Sequence, residues 1–529
     1  MENRRRVQAD EIDIESQKRR ARRRRELLRR KRRKAKMLRA GIVFVLFLIL
    51  GGCIWGVVAG VRFGLAKSAA DKELKEQQIA QEEEAHARKE EMIVQAREMA
   101  TVYDYDGAID LLKSIEGYEN DPELLKELAD FESTKSTLTS VDVTKIPHIY
   151  IGGVIVDPEY TFSKSDQNWV STANKSSITL SELNNMLEQL YNNGYVLVSI
   201  RDLIQERTDE EGNVLYTRGK IMLPEGKKAF ILSQDDVSYP LNMQNSGYAS
   251  RIVLDAQGNP TCEYVQQDGT TVTGEYDLVP VLNAFVEEHP DFVYKNARGI
   301  LCLTGYNGIL GYRTSPDLAL TAEAGNIYAD YGIFDYQAEI EAVKPVLKAL
   351  WEEGWDFAMN GYAAVNYSGE YEDVYDDVQK WQSDVGSILE SVTGEKTDIL
   401  MFPFGSDIAD WRGYDGNEKF TMLFGQGIRY FCNIEPSQYW VQLHENYVRQ
   451  GRRPVNGQRM AQDLNTGTDW LTDLFDVSAV YDARRPETGL ATKTTTQGNG
   501  TEDTGTDAAG DTSEDTSENT STDTSEASE

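Results

Sequence analysis

Residues Ala229 to Tyr239, Ala-Phe-Ile-Leu-Ser-Gln-Asp-Asp-Val-Ser-Tyr, constrain the fold of this chain more than any other stretch. An apolar run of this length, bounded by polar residues, reads as a buried strand. It ends in two adjacent carboxylates, Asp235 and Asp236. Neighbouring carboxylates beside a buried strand are costly unless paired or used. At the end of a barrel strand they stand where such folds place their chemistry. The plainer alternative is a hydrogen-bond cap on the strand end.

Strand and helix patterns alternate from about residue 147 to 486. Pro147 to Gly152 reads as a first strand. Ile178 to Tyr195 carries Leu183, Met186, Leu187 and Leu190 at helical spacing and is stopped by Gly194. Val196 to Ile200 is a short β-rich strand, Gly299 to Thr304 the next buried one, and Pro345 to Trp351 lies in a helix. This alternation argues an α/β fold with mainly parallel strands. Segments 240–280 and 305–335, rich in Gly, Asn and Tyr, read as insertions.

In this order the segments resemble the polysaccharide deacetylase (NodB-homology) family. Ser233-Gln-Asp-Asp236 is similar to its first motif, Thr-Phe-Asp-Asp-Gly. The resemblance implies a distorted (β/α) barrel of seven strands, Asp235 as catalytic base and Asp236 as a metal ligand. Gly354 to Asn366 resembles the second motif almost position by position, but Asn360 and Ala364 stand where its two histidines belong. Phe402-Pro-Phe-Gly405 resembles the third motif, with Met401 in place of its arginine. A backbone donor near Phe404 or Gly405 would face the oxyanion. A catalytic zinc needs three protein ligands and a water. The cofactor implied is therefore a zinc-like divalent metal if the family chemistry operates, and none if the site is degenerate. The four histidines, His86, His148, His289 and His444, lack ligand spacing. His148 is expected at the bottom of the barrel. Tyr306, Tyr362, Phe404 and Trp411, with Tyr439 and Trp440, fall where loops would ring the mouth and are the candidate substrate-binding aromatics.

Residues 40–61 are apolar and uncharged, and 1–39 hold 18 Lys or Arg against 6 Asp or Glu, a net +12. Such a span crosses the hydrocarbon core, and the basic flank predicts a cytoplasmic amino terminus with the rest outside. A cleaved signal peptide fits less well, because the run is long and no cleavage site directly follows. With −32 overall, the exported part carries −44, which argues against nucleic acid as a partner. It also argues against anionic wall polymers, except through local basic patches such as Arg449, Arg452 and Arg453. The cysteines give no disulfide framework.

Residues 62–140 read as a solvated helical stalk running into a tetratricopeptide-like hairpin. In it Asp121-Pro122 starts a helix with Leu124, Leu125 and Leu128 as its apolar face. The stalk is a candidate site for a protein partner. The barrel domain spans 146–486, and 487–529 is an acidic Ser/Thr-rich tail expected to be disordered. The expectation is a single-pass, extracellular deacetylase-like protein acting on or binding N-acetylated cell-surface or peptidoglycan-type glycans, with an impaired metal site. The competing class is a non-catalytic glycan-binding or envelope scaffold protein.

Overall fold

The computed structural model describes residues 65–323, 334–363, 365–435, 439–487 and 489–490. The expected membrane span at 40–61 with its basic flank, Ala364, and the acidic tail beyond Leu490 lie outside these residues. Among the described residues no helix is long and apolar enough to cross a membrane.

Seven strands form the centre: β1 (His148–Ile151), β2 (Lys228–Gln234), β3 (Ile300–Leu303), β4 (Asp356–Met359), β5 (Ile399–Met401), β6 (Tyr430–Ile434) and β7 (Val448–Pro454). Each pairs in parallel with the next, and β7 pairs with β1. The ring is closed, as the resemblance implies, and leaves no open edge. Side chains alternate across its wall, as the strand period of two requires. Ile231, Ile300, Cys302, Ile399, Met401 and Cys432 pack together inside. Their neighbours Phe230, Leu232, Leu301, Met359, Leu400 and Phe431 join the outer cluster with the helices. A wall apolar on both faces explains why these strands read as continuous hydrophobic runs.

Local chemistry sets the element ends. The helix Leu180–Asn192 opens on a capping box between Thr179 and Glu182 and stops before Gly194, whose φ is +76°. Leu183, Met186, Leu187 and Leu190 are fully buried, as their spacing predicts. The following strand is shorter than expected, Tyr195–Leu197, because Ser199 and Asp202 cap a 3-10 turn at Ile200–Leu203. Arg201 in that turn ties the foot of the barrel, bonding Asp356 at the start of β4 (2.9 Å) and Asp398 beside β5 (2.9 and 3.0 Å). The segment 240–280 contains a three-stranded antiparallel sheet, Ala249–Leu254, Pro260–Val265 and Thr271–Gly274.

Glu182 and Arg485 form an ion pair at 2.6 Å with neither side chain exposed. Glu182 also accepts the amide of Asp482. The chain near Pro486 is thereby stapled to the start of the barrel domain, where the sequence pattern ends.

Before the barrel come helices α1 (Leu65–Thr101), α2 (Tyr105–Lys113) and α3 (Pro122–Thr137), with a core of their own that includes Ala96, Ala108, Leu112, Leu124 and Leu128. Leu125 is exposed, so only two of the three leucines expected on the inner face of α3 reach it. Tyr103 joins this part to the barrel, donating its hydroxyl to the carbonyl of Asp291 at 2.8 Å.

Candidate functional site at the barrel mouth

The carboxyl ends of β2 to β7 open on one rim. Asp235 follows β2 and keeps its ladder bond, donating its amide to Ile151 at 2.9 Å. By alternation it faces inward, as Ser233 does. The partner it meets comes from β7: Arg452 donates to its two carboxylate oxygens at 2.7 and 3.2 Å. Arg452 is fully buried. Burial works against its charge, but Asp235 more than offsets this and raises its pKa. Its guanidinium lies 4.5 Å from the ring centre of Tyr150 and 3.3 Å from the Ser233 hydroxyl. Ser233 meets His148 Nε2 at 2.9 Å, and His148 Nδ1 meets Gln450 at 3.0 Å. His148 thus belongs to a buried polar chain inside the ring that leads to Asp235. Burial, then the Arg452 charge, holds it well below the usual imidazole range.

Asp236 leaves the strand in the left-handed region, φ +62°. It is exposed. The surrounding protein, then the charge of Asp235, pushes it up to about 6. Gln234 points the other way, its amide donating to Asp277 at 2.6 Å outside the wall. Asp277 caps the helix Leu278–Glu288, and burial raises its carboxyl.

Asn360 follows β4 and donates its side-chain amide to the carbonyl of Met401 at 2.9 Å, locking two strand ends together. Its backbone donates to Leu303 on β3. Asp235 and Asn360 thus leave strands on either side of β3, about two strand spacings (~10 Å) apart at the backbone. Gly361 comes next at φ +74°; a Cβ there would stand 2.9 Å from both Asp377 and Pro403, so the turn admits little else. Asp377 accepts the amides of Tyr362 and Ala363 at 2.8 and 2.9 Å and fixes this loop.

The seven strands close in chain order, with the motif segments at their carboxyl ends. The fold fits a NodB-type deacetylase barrel.

No family profile matches the sequence, and the comparison with curated proteins finds no match. Among solved structures, the chain is similar to the Streptococcus pyogenes deacetylase PplD in complex with acetate, at 10% identity and TM-score 0.29, over 60% of this chain and 94% of that one. It is similar to a de-N-acetylase from Aggregatibacter actinomycetemcomitans at 14% identity and TM-score 0.32, over 62% and 99%. It is also similar to IcaB from Ammonifex degensii at 10% identity and TM-score 0.28, over 63% and 97%. The strand ring itself carries the fold assignment.

The residues of this barrel do not fit the metal that the motifs imply. Among the described residues no three His, Cys, Asp or Glu side chains group as ligands. The Ala364 side chain has no donor atom, Asn360 offers only a neutral amide oxygen, its nitrogen being bonded to Met401, and a guanidinium cation occupies one side of Asp235.

The aromatic candidates separate. Phe404 is 61% exposed and held at φ +57° between Pro403 and Gly405, an unusual conformation for a bulky residue. Tyr306 is also exposed. Tyr362 is buried, with its hydroxyl 2.9 Å from Ser315, so it packs the loop in place of offering an open ring face. Trp411 is 76% exposed, but its carbonyl is held by Gln442 at 2.9 Å, against the strand that flanks β7 on the outside. His444 stacks on Tyr447 at 4.0 Å, parallel within 6°.

Arg449, Arg452 and Arg453 form no surface patch. All three are buried on β7 and paired with Asp407, Asp235 and Asp473. A strand in the middle of a closed wall has no solvent side, so its charges must find partners within the protein. Arg452 is the site residue that motif matching passed over. Three arginines within a strand-length segment are the signal that could have found it.

Proposed function

We propose that this chain is a membrane-anchored, extracellular member of the deacetylase-type barrels that binds N-acetylated cell-surface glycans at the barrel mouth, with the family's metal chemistry impaired. The observation that carries the reading is the two-toothed bond from Arg452 to Asp235. A carboxylate so engaged is a poor general base, because protonating it would break a charge-assisted pair. The Arg452 guanidinium beside Asp235 also opposes a divalent cation there. What remains at the mouth suits recognition: carboxylates and amides for hydroxyls and acetamido groups, and exposed Tyr306 and Phe404 for sugar faces. The span at 40–61 would anchor the chain, and the helices, resembling a tetratricopeptide hairpin, would act as a spacer or protein-docking stalk.

Two measurements test this. Purified protein is expected to carry little zinc, to bind oligomers of N-acetylglucosamine and to release little acetate from them. Stoichiometric zinc, with turnover abolished by Asp235→Asn, would overturn the reading and establish a rewired enzyme. Protease added to intact cells stripped of wall should digest the barrel; full protection would reverse the proposed orientation.

A further inference from the structure

The connection from β6 to β7 differs from the others in the ring. Among its described residues there is no helix, only the short strand Val441–Leu443, which pairs antiparallel with β7. Phe431 on β6 still packs on Phe420 of the preceding helix Glu418–Gly425, but the described part of the β6–β7 connection adds no helix of its own to the outer wall. In its place lies a cleft of about 440 Å³. Trp411 and Trp440 line it together with Asn433, Glu435, Gln442 and Arg449.

The cleft is separate from the mouth. Arg449 and Arg452 sit on one strand at positions of opposite parity, so they face opposite sides of the wall. Arg452 faces inward to Asp235, whereas Arg449 faces outward into the cleft. The cleft is also rigidly built. Arg449 is buried, and bonds Asp407 at 2.8 Å, the carbonyl of Asp410 at 2.9 Å and Gln442 at 3.0 Å, which pins the loop that presents Trp411. Gln442 holds the Trp411 carbonyl directly. Among the described residues nothing comparable holds the Trp411 ring, which is 76% exposed. The amide oxygen of Asn433 is buried without a hydrogen-bond partner among the described residues. A protein of this size usually satisfies such an acceptor.

We propose that this flank cleft is a second carbohydrate-binding site, taking a pyranose ring of a β-linked glycan independently of the mouth. An indole face offers an apolar surface to the axial C–H groups of a sugar whose substituents are equatorial, and amphipathic aromatic rings suit such half-wet contacts. Asn433 supplies an acceptor for a sugar hydroxyl, while Gln442, bonded to Arg449 and to the Trp411 carbonyl, fixes the wall of the cleft. Pockets that combine apolar walls with a few fixed polar groups are the usual form of small-ligand sites. Arg449 is already neutralised by Asp407, so an uncharged sugar is favoured over an anionic polymer. The inference rests on the glycan reading above and extends it to a place where the chain could hold a polymer while the mouth meets another unit.

The test is a calorimetric titration of the full chain with the hexamer of β-1,4-linked N-acetylglucosamine, repeated with Trp411→Ala and Phe404→Ala. Trp411 is exposed, so its truncation should leave folding intact. Stacking of this kind is expected to weaken binding about tenfold in Trp411→Ala, with loss of the tryptophan fluorescence change on titration. Reduced affinity in Trp411→Ala with none in Phe404→Ala supports the flank site and counts against the mouth as the glycan site. Reduction in both supports two sites. Reduction in Phe404→Ala alone overturns the flank site and leaves the mouth reading standing. No binding by the unmodified chain overturns both.

Discussion

Arg452 on β7 takes both carboxylate oxygens of Asp235 beyond β2, at 2.7 and 3.2 Å, and joins residues 217 positions apart in the chain. The pair puts a fixed positive charge on the carboxylate that the motif resemblance reads as the catalytic base.

Removing one partner strands a buried charge. Asp235→Ala is expected to destabilise the protein by about 3–5 kcal/mol, whereas Asp235→Leu combined with Arg452→Met should recover most of that loss. Urea denaturation of the three variants measures this. An Asp235→Ala protein as stable as the parent would show that the pair is incidental.

The Glu182–Arg485 pair should behave alike at the other closure of the domain. Both side chains are fully buried, and Arg485 also donates to Asn174 and Ser177. Arg485→Ala is expected to cost about 3–5 kcal/mol, with amide exchange rising first around Asn174–Thr179. Unchanged exchange there would contradict the staple.

Phe404→Gly should raise stability by up to about 1 kcal/mol, because glycine takes a φ of +57° without the steric cost that phenylalanine bears. The exposed ring contributes little packing. Glycan affinity at the mouth should fall in the same variant, so thermal midpoint and affinity are expected to move in opposite directions. A fall in both would mean that the ring is a packing element.

Two carboxylates should give opposite pH slopes. Burial pushes Asp202 up to about 6 from 3.8, against the pull of the Ser199 amide. The folded state then holds an extra proton between these values, so this contribution is present below about pH 4 and lost as pH rises through 6. Burial acts on Asp482 in the same sense, but the Arg484 bond outweighs it and lowers the carboxyl to about 2. That stability is present above about pH 4 and lost as pH falls through 2. Denaturation midpoints across pH for Asp202→Asn and Asp482→Asn should lose these slopes separately.

Local patterns carried much of the architecture. The apolar runs at 229–234 and 299–304 announced wall strands because both faces of a closed parallel ring are buried. The capping box at Thr179–Glu182 and the stop at Gly194 bounded a helix by hydrogen bonds that span a few residues. The absence of the two motif imidazoles was read directly from the residue types, since an alanine side chain carries no coordinating atom.

Tertiary structure alone decided where the charges and aromatics went. Arg449, Arg452 and Arg453 read along the chain as a basic patch. Closure of the ring buried them, and parity sent Arg452 to Asp235 and Arg449 to the opposite face. Tyr362 and Trp411 look equivalent in sequence, yet one packs beneath its own loop and the other stands in solvent on the flank. Strand and helix follow from short-range periodicity and capping, which the sequence by itself determined. Which side of a wall a residue faces, and which distant residue meets it there, depends on register between strands hundreds of positions apart, and no local pattern encodes that.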